Sequence, residues 1–255
     1  MGEEYRDSRE YITAEENYGK GIALFEKENE ASGFESNESV GILYSDLADI
    51  DYFISGDMDN ALQNYMNAVN NKNDNPSVRY RIGFIQYNRE NYRDAMGSFI
   101  CALDKNPEDS HLLYALGNTL SLRNNNSSSA GYYRHLLDNL DRERELHGIL
   151  FPQIREDQGE LVELYMKASN NLAVSQYRLA SSNGNSALNG QALVNLQESN
   201  RAWDALTRNQ ETMVRLEGSN LAEQNFMYMT HPSSEYQPQI YTDIPRLMEG
   251  EKGLE

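Results

Sequence analysis

The chain has 255 residues, with 22 Lys plus Arg against 40 Asp plus Glu, a formal net charge of -18 and one cysteine, Cys101. That charge argues against nucleic acid and disfavours anionic membrane surfaces as partners, because both are held by clustered cations. One cysteine excludes an intramolecular disulfide and a thiolate metal cluster within the chain, and no run of about 18 apolar residues exists to cross a membrane.

In chain order, Met1-Gly2 and Leu254-Glu255 are dipeptides of the kind cloning sites leave, so the chain is expected to be a segment of a longer protein. On that expectation it is soluble, either cytoplasmic or cut from an envelope or periplasmic protein. A first helix is predicted around Asn17–Phe25, followed by a loop at Gly33–Glu38. A repeat then begins. Ala61, Tyr65 and Ala68 return 34 residues later as Ala95, Phe99 and Ala102, and again as Ser129, Tyr133 and Leu136. Gly83 and Gly117 keep the same step. So do the turns Gly56-Asp57-Met58, Glu90-Asn91-Tyr92 and Asn124-Asn125-Asn126. Further on, Pro152 suits a helix start, and Leu161, Leu164, Tyr165, Ala168 and Leu172 recur at helical spacing. Ser181–Ser186 reads as a turn. Ala192, Leu193, Leu196, Trp203 and Leu206 make another apolar stripe, and Met213, Leu216, Leu221, Phe226 and Met229 suggest a last helix. From His231 the prolines Pro232, Pro238 and Pro245 mark an extended tail. Its stretch Tyr236–Pro245 alternates apolar and polar residues. The expectation is that it packs back as a cap, with the chain's own groove one seat for it.

The 34-residue pattern resembles the tetratricopeptide repeat family, in units Ile42–Asn75, Pro76–Asp109 and Ser110–Glu143. The second unit matches best, through Ile82-Gly83, Tyr92, Asp94-Ala95, Phe99, Ala102-Leu103 and Pro107. The first has Asn73 in place of the closing proline, and the third has Ser129 where alanine is usual. The resemblance implies an all-α, right-handed solenoid of antiparallel helix pairs, with irregular longer helices towards the C-terminus. Each pair cannot bury its apolar face alone, so neighbours stack. The implied organisation is an N-terminal helical segment over 1–41, three repeat units over 42–143, an irregular fourth pair with a capping helix over 144–230, and the tail over 231–255.

The resemblance also implies a concave groove lined by Ile50, Phe53, Tyr80, Phe84, Tyr87, Tyr114 and Asn118. Arg79 and Gln86 fall where the family places apolar side chains, so a rotated helix would put Tyr80 and Tyr87 in the core instead. The family's clamp for acidic chaperone tails is absent, with Asp46, Ile50, His111 and Ala115 at its positions.

No phosphate loop, dinucleotide fingerprint or nucleophile elbow is present, and His111, His135, His147 and His231 lie too far apart for a metal pair. Asp46, Asp49 and Asp51 lack the glycine and terminal glutamate of a calcium loop and read as a solvated acidic face. Cys101 reads as a packed small residue. The function expected is therefore a non-catalytic scaffold or adaptor, without cofactor or metal, that holds a neutral or basic polypeptide. Envelope or motility assemblies are one setting for it. The alternatives are a self-associating structural subunit, and a ligand or enzymatic pocket near Tyr165, Tyr177 and Trp203.

Overall fold

The computed structural model describes residues 2–32, 36–146, 158–208, 219–232 and 236–246. The expectations for Gly33–Glu35, Pro152, Met213, Leu216 and His147 fall outside them. Among the described residues the chain is all-α, and within each compact unit successive helices pack on one another as antiparallel neighbours. It forms two compact units, Met1–Pro107 with Arg246–Glu255, and Glu108–Pro245.

The first unit holds α1 (Gly2–Ser32), α2 (Glu38–Asp49) with a π-helical turn at Ile50–Ser55, α3 (Met58–Asn70), α4 (Pro76–Asn88) and α5 (Tyr92–Leu103). The sequence sets these boundaries. Asn37 and Asn75 accept the first free N–H groups of α2 and α4, at 2.8 Å each, and Asp57 does so for α3. Gly56 and Glu90 take left-handed backbone at φ 68° and 61° to reverse the chain. Ala48, Tyr52, Ala61, Tyr65, Val78, Ile82 and Ile85 form its core. Gly83 is required by packing, since a Cβ there would stand 2.5 Å from the Phe99 ring. Asn73, where the repeat usually closes with proline, donates instead to the Gly41 carbonyl at 3.2 Å and to Ser45 Oγ at 2.7 Å.

The acidic triplet corrects one expectation. Asp51 is buried and accepts from Asn64 at 2.8 Å, and Asp49 accepts from Tyr65 at 2.5 Å and from Arg81 at 2.8 Å. These carboxylates are anchored within the fold, because the neighbouring helix supplies donors at their height. Burial raises Asp51 above the usual carboxylate range, with the Asn64 hydrogen bond opposing it. Cys101 is half-buried.

The second unit holds α6 (Ser110–Leu122), α7 (Asn126–Leu146), α8 (Gly159–Asn183), α9 (Ser186–Arg208) and α10 (Leu221–Thr230). Asp109 and Asn220 cap α6 and α10. Asn124 repeats the left-handed turn at φ 59°, and Gly184 at φ 69° ends α8. Ser129, in place of the usual alanine, meets Ser175 of α8 at 3.0 Å, so a buried polar pair replaces a methyl contact. Ala173, Ala192, Leu196 and Ala222 join α8, α9 and α10, with Tyr177, Phe226 and Met229 against them. No helix among the described residues is long and apolar enough to cross a membrane.

Candidate functional site

The site lies in the second unit and is built on α6, α8 and α10. Each presents asparagine from a buried face: Asn118 on α6, Asn170 and Asn171 on α8, Asn225 on α10, all fully buried. Asparagine is a poor helix-interior residue, because its amide competes for backbone hydrogen bonds. Here the amides face outward to another strand of chain, the tail.

Two of them grip alternate tail residues from both sides. Asn171 donates to the Tyr241 carbonyl and accepts from the Tyr241 N–H, both at 2.8 Å. Asn225 donates to the Gln239 carbonyl at 2.8 Å and accepts from the Gln239 N–H at 2.9 Å. Such paired bonds copy what a neighbouring β-strand would offer. They engage residues of one face of an extended chain and are blind to side-chain identity. Asn118 at 3.1 Å and the Tyr114 hydroxyl at 3.3 Å donate to the same Tyr241 carbonyl, and Asn170 donates to Gln239 at 3.1 Å.

A second layer fixes the amides. Tyr133 donates to Asn118 Oδ1 at 2.5 Å, and Asn171 donates to that oxygen at 2.9 Å. Asn225 donates to Asn170 Oδ1 at 2.8 Å, and Tyr236 donates to Asn225 Oδ1 at 2.7 Å. The network is therefore satisfied, the condition under which buried polar groups specify one geometry.

Further contacts from side chains hold the tail. The Tyr241 hydroxyl accepts the Leu221 N–H at the start of α10, at 3.1 Å. Arg178 donates to the Pro238 carbonyl at 3.3 Å, and Lys167 pairs with Asp243 at 2.5 Å and with Glu163 at 2.6 Å. Burial alone would lower the Lys167 ammonium, but the Asp243 and Glu163 carboxylates outweigh it and hold the pKa above its usual value. Burial lowers the Arg178 guanidinium and pushes the Tyr241 hydroxyl up. Ile240, Tyr241 and Ile244 are each under one-tenth exposed.

Opposing contributions of similar size act on the tail. Ordering the backbone of residues 236–245 costs about 10–20 kcal/mol at about 1–2 kcal/mol per residue. Burying Ile240, Tyr241 and Ile244 offsets about 5–9 kcal/mol of that. The hydrogen bonds supply the rest at about 1 kcal/mol each.

Of the groove residues expected from sequence, Tyr114 and Asn118 come together on the tail. The others lie in the first unit. Ile50, Tyr80 and Tyr87 are buried, and Phe53 and Phe84 are half-buried. The Tyr80 ring lies 5.5 Å from Phe99 and the Tyr87 ring 5.5 Å from Tyr92, the core placement that the sequence left open. Phe84 stacks edgewise on Tyr52 at 6.0 Å, and Arg81 lies 5.0 Å over the Phe53 ring. Arg246 lies 4.5 Å over the Tyr52 ring and donates to the Tyr52 carbonyl.

Sequence reading missed Lys167, Asn170, Asn171, Arg178 and Asn225. Asn118, Asn171 and Asn225 are 53 and 54 residues apart, outside the 34-residue register. The available signal was Asn170-Asn171 within the apolar stripe between Ala168 and Leu172.

A separate open cleft of about 700 Å³ lies between α7, α8 and α9, lined by Arg134, Asp138, Tyr165, Gln176 and Val194 among others. Tyr165 reaches it. Tyr177 packs instead on Tyr228, with ring centroids 6.1 Å apart. No cluster of His, Cys, Asp or Glu able to hold a metal ion occurs among the described residues.

No family model and no curated protein matches the chain. Among solved structures it is similar to the crystal structure of MamA protein, at 14% identity over 69% of this chain and 98% of that chain, with a TM-score of 0.34. An overlap that low carries nothing over to this chain.

Proposed function

We propose that this chain is a non-catalytic scaffold of the tetratricopeptide type that holds an extended polypeptide in the groove of α6, α8 and α10, as an adaptor within a larger assembly. One observation supports the reading above the others. Asn171 and Asn225 engage both main-chain groups of Tyr241 and Gln239, residues two apart, so the surface is complementary to extended chain as such. Catalysis would need a titratable group aimed at a reacting atom; the amides and hydroxyls of this groove are committed to each other and to the tail, and its Lys167 is held as an ammonium by Asp243 and Glu163.

The test is capture from native lysate with the full chain, against an Asn118→Ala, Asn225→Ala variant whose far-UV circular dichroism is unchanged. Partners lost on the variant support the groove. Partners retained equally by both would move the working surface elsewhere, with the cleft between α7, α8 and α9 next in line.

A further inference from the structure

The groove is filled, and by a segment of this same chain. The occupant therefore reports what the groove accepts. This inference rests on the groove being a polypeptide site, as proposed above.

We infer that residues 236–245 are a resident surrogate ligand: the partner is an extended polypeptide segment that carries tyrosine at the Tyr241 seat and a carboxylate two residues later at Lys167, and it binds by displacing the tail.

The reasons are geometric. Main-chain bonds to Asn171 and Asn225 admit any extended segment, so discrimination falls to side chains. Tyr236 meets only an Asn225 oxygen that already holds the Gln239 N–H, whereas Tyr241 and Asp243 each meet a group of their own. The Tyr241 hydroxyl is met by the Leu221 N–H, a donor that α10 leaves free at its first turn. A phenylalanine at this seat would leave that donor facing no acceptor. Lys167 is largely shielded, its side chain 17% exposed, and Asp243 reaches it from the more open side at 63% exposed. Lys167 already meets Glu163, so the groove supplies one acid and the occupant the second. A lysine or arginine in place of Asp243 would face Lys167 directly. The chain as a whole carries -18, which favours a basic partner at long range. At contact the local cation decides, since a like charge there costs far more than a distant field gains.

Displacement follows from the connection. A tethered segment competes at an effective concentration of about millimolar, so a partner in trans meets an apparent affinity lowered by that competition. Weakening the tail should therefore uncover the groove without altering it.

The probe is a fluorescein-labelled peptide copying residues 236–246, titrated by anisotropy into two full-length chains: the wild type, and a Tyr241→Ala, Asp243→Lys variant that keeps its helical signal. The peptide is expected to bind the variant about tenfold or more tighter than the wild type. A peptide with Asp243→Lys, or with Tyr241→Phe, is expected to bind the variant at least about fivefold weaker than the parent peptide. Equal binding to both chains overturns displacement, and binding to neither makes the tail a fixed part of the fold. Equal binding of the altered peptides overturns the tyrosine and carboxylate requirement. Where only the tyrosine and carboxylate requirement fails, lysate capture that depends on Asn118 and Asn225 leaves the groove itself standing. Should the variant not fold, hydrogen exchange on the wild type decides. Amides of Gln239 and Tyr241 exchanging about 100-fold faster than that of Ala173 support release of the tail, and equal rates overturn it.

Discussion

The two units solve one packing problem with different chemistry at equivalent positions. In both, a glycine in the first helix of a pair lies under an aromatic ring of the second: Gly83 under Phe99, and Gly117 under Tyr133. In both, a tyrosine one turn earlier stacks on that ring, Tyr80 at 5.5 Å and Tyr114 at 6.2 Å. The next residue after the glycine differs. It is Phe84 in the first unit, half-buried against Tyr52, and Asn118 in the second, held by the Tyr133 hydroxyl. One hydroxyl and one amide convert a dry contact into a donor aimed at extended chain. The lesson is that small and aromatic residues specify the helix packing, while the polar contact to the tail enters at a position that packing leaves free.

The largest way to break the comparison is Asn171→Ala. It strands the buried Tyr241 N–H, takes the shortest of three bonds from the Tyr241 carbonyl and leaves Asn118 Oδ1 with Tyr133 alone, and should cost the second unit about 2–4 kcal/mol. Trp203, the chain's one tryptophan, lies in this unit, so its fluorescence in a urea titration reads the loss apart from the first unit.

High pH sharpens the comparison by loading both units at once. Burial pushes the Tyr52 hydroxyl up to about 12 in the first unit and raises Tyr241 in the second. A folded pKa above the unfolded one gives stability that is present below the ordinary value of about 10 and lost as pH rises through the folded value. The expected loss for Tyr52 is up to about 1.4 kcal/mol per pH unit between about 10 and 12. Urea midpoints measured at intervals across that range check it.

Gly83→Ala and Gly117→Ala should each cost about 1–3 kcal/mol, because the ring above must shift. A markedly different loss in the two, followed by circular dichroism in urea, would sink the claim that the packing is equivalent. Transplanting the polar pair is a finer test. Phe84→Asn and Phe99→Tyr should each destabilise alone, but together recover about 1 kcal/mol of the summed loss in a double-mutant cycle. The smallest effect concerns the turns. Glu90→Gly relieves left-handed strain and should stabilise by about 0.5–1 kcal/mol, whereas Gly56→Ala should lose about 1 kcal/mol.

Most of the scaffold was legible because its constraints repeat. Gly83, Gly117, Phe99 and Tyr133 recur every 34 residues, and Gly56, Glu90 and Asn124 carry the turn through one backbone conformation. The groove was only partly legible. Tyr114 and Asn118 lie in register and could be placed. Asn171 and Asn225 sit on α8 and α10, where a 25-residue helix departs from the repeat, and no spacing rule reaches them. The acidic triplet was misread for a related reason. Asp49 and Asp51 are judged by their own helix in sequence, whereas Tyr65 and Asn64, on the next helix, supply the donors that anchor them.

The position of the tail along the chain has a consequence in time. The Asn118 amide and the Tyr241 carbonyl it binds are 123 residues apart. At about 5–20 residues per second, synthesis of that interval takes about 6–25 s. The helices bearing the asparagines are all made before the tyrosine that will sit on them. The last of them, α10, ends at Thr230, 11 residues before Tyr241, so the face is complete without the tail for about 0.5–2 s, and on the proposed reading a partner present then would need to displace nothing.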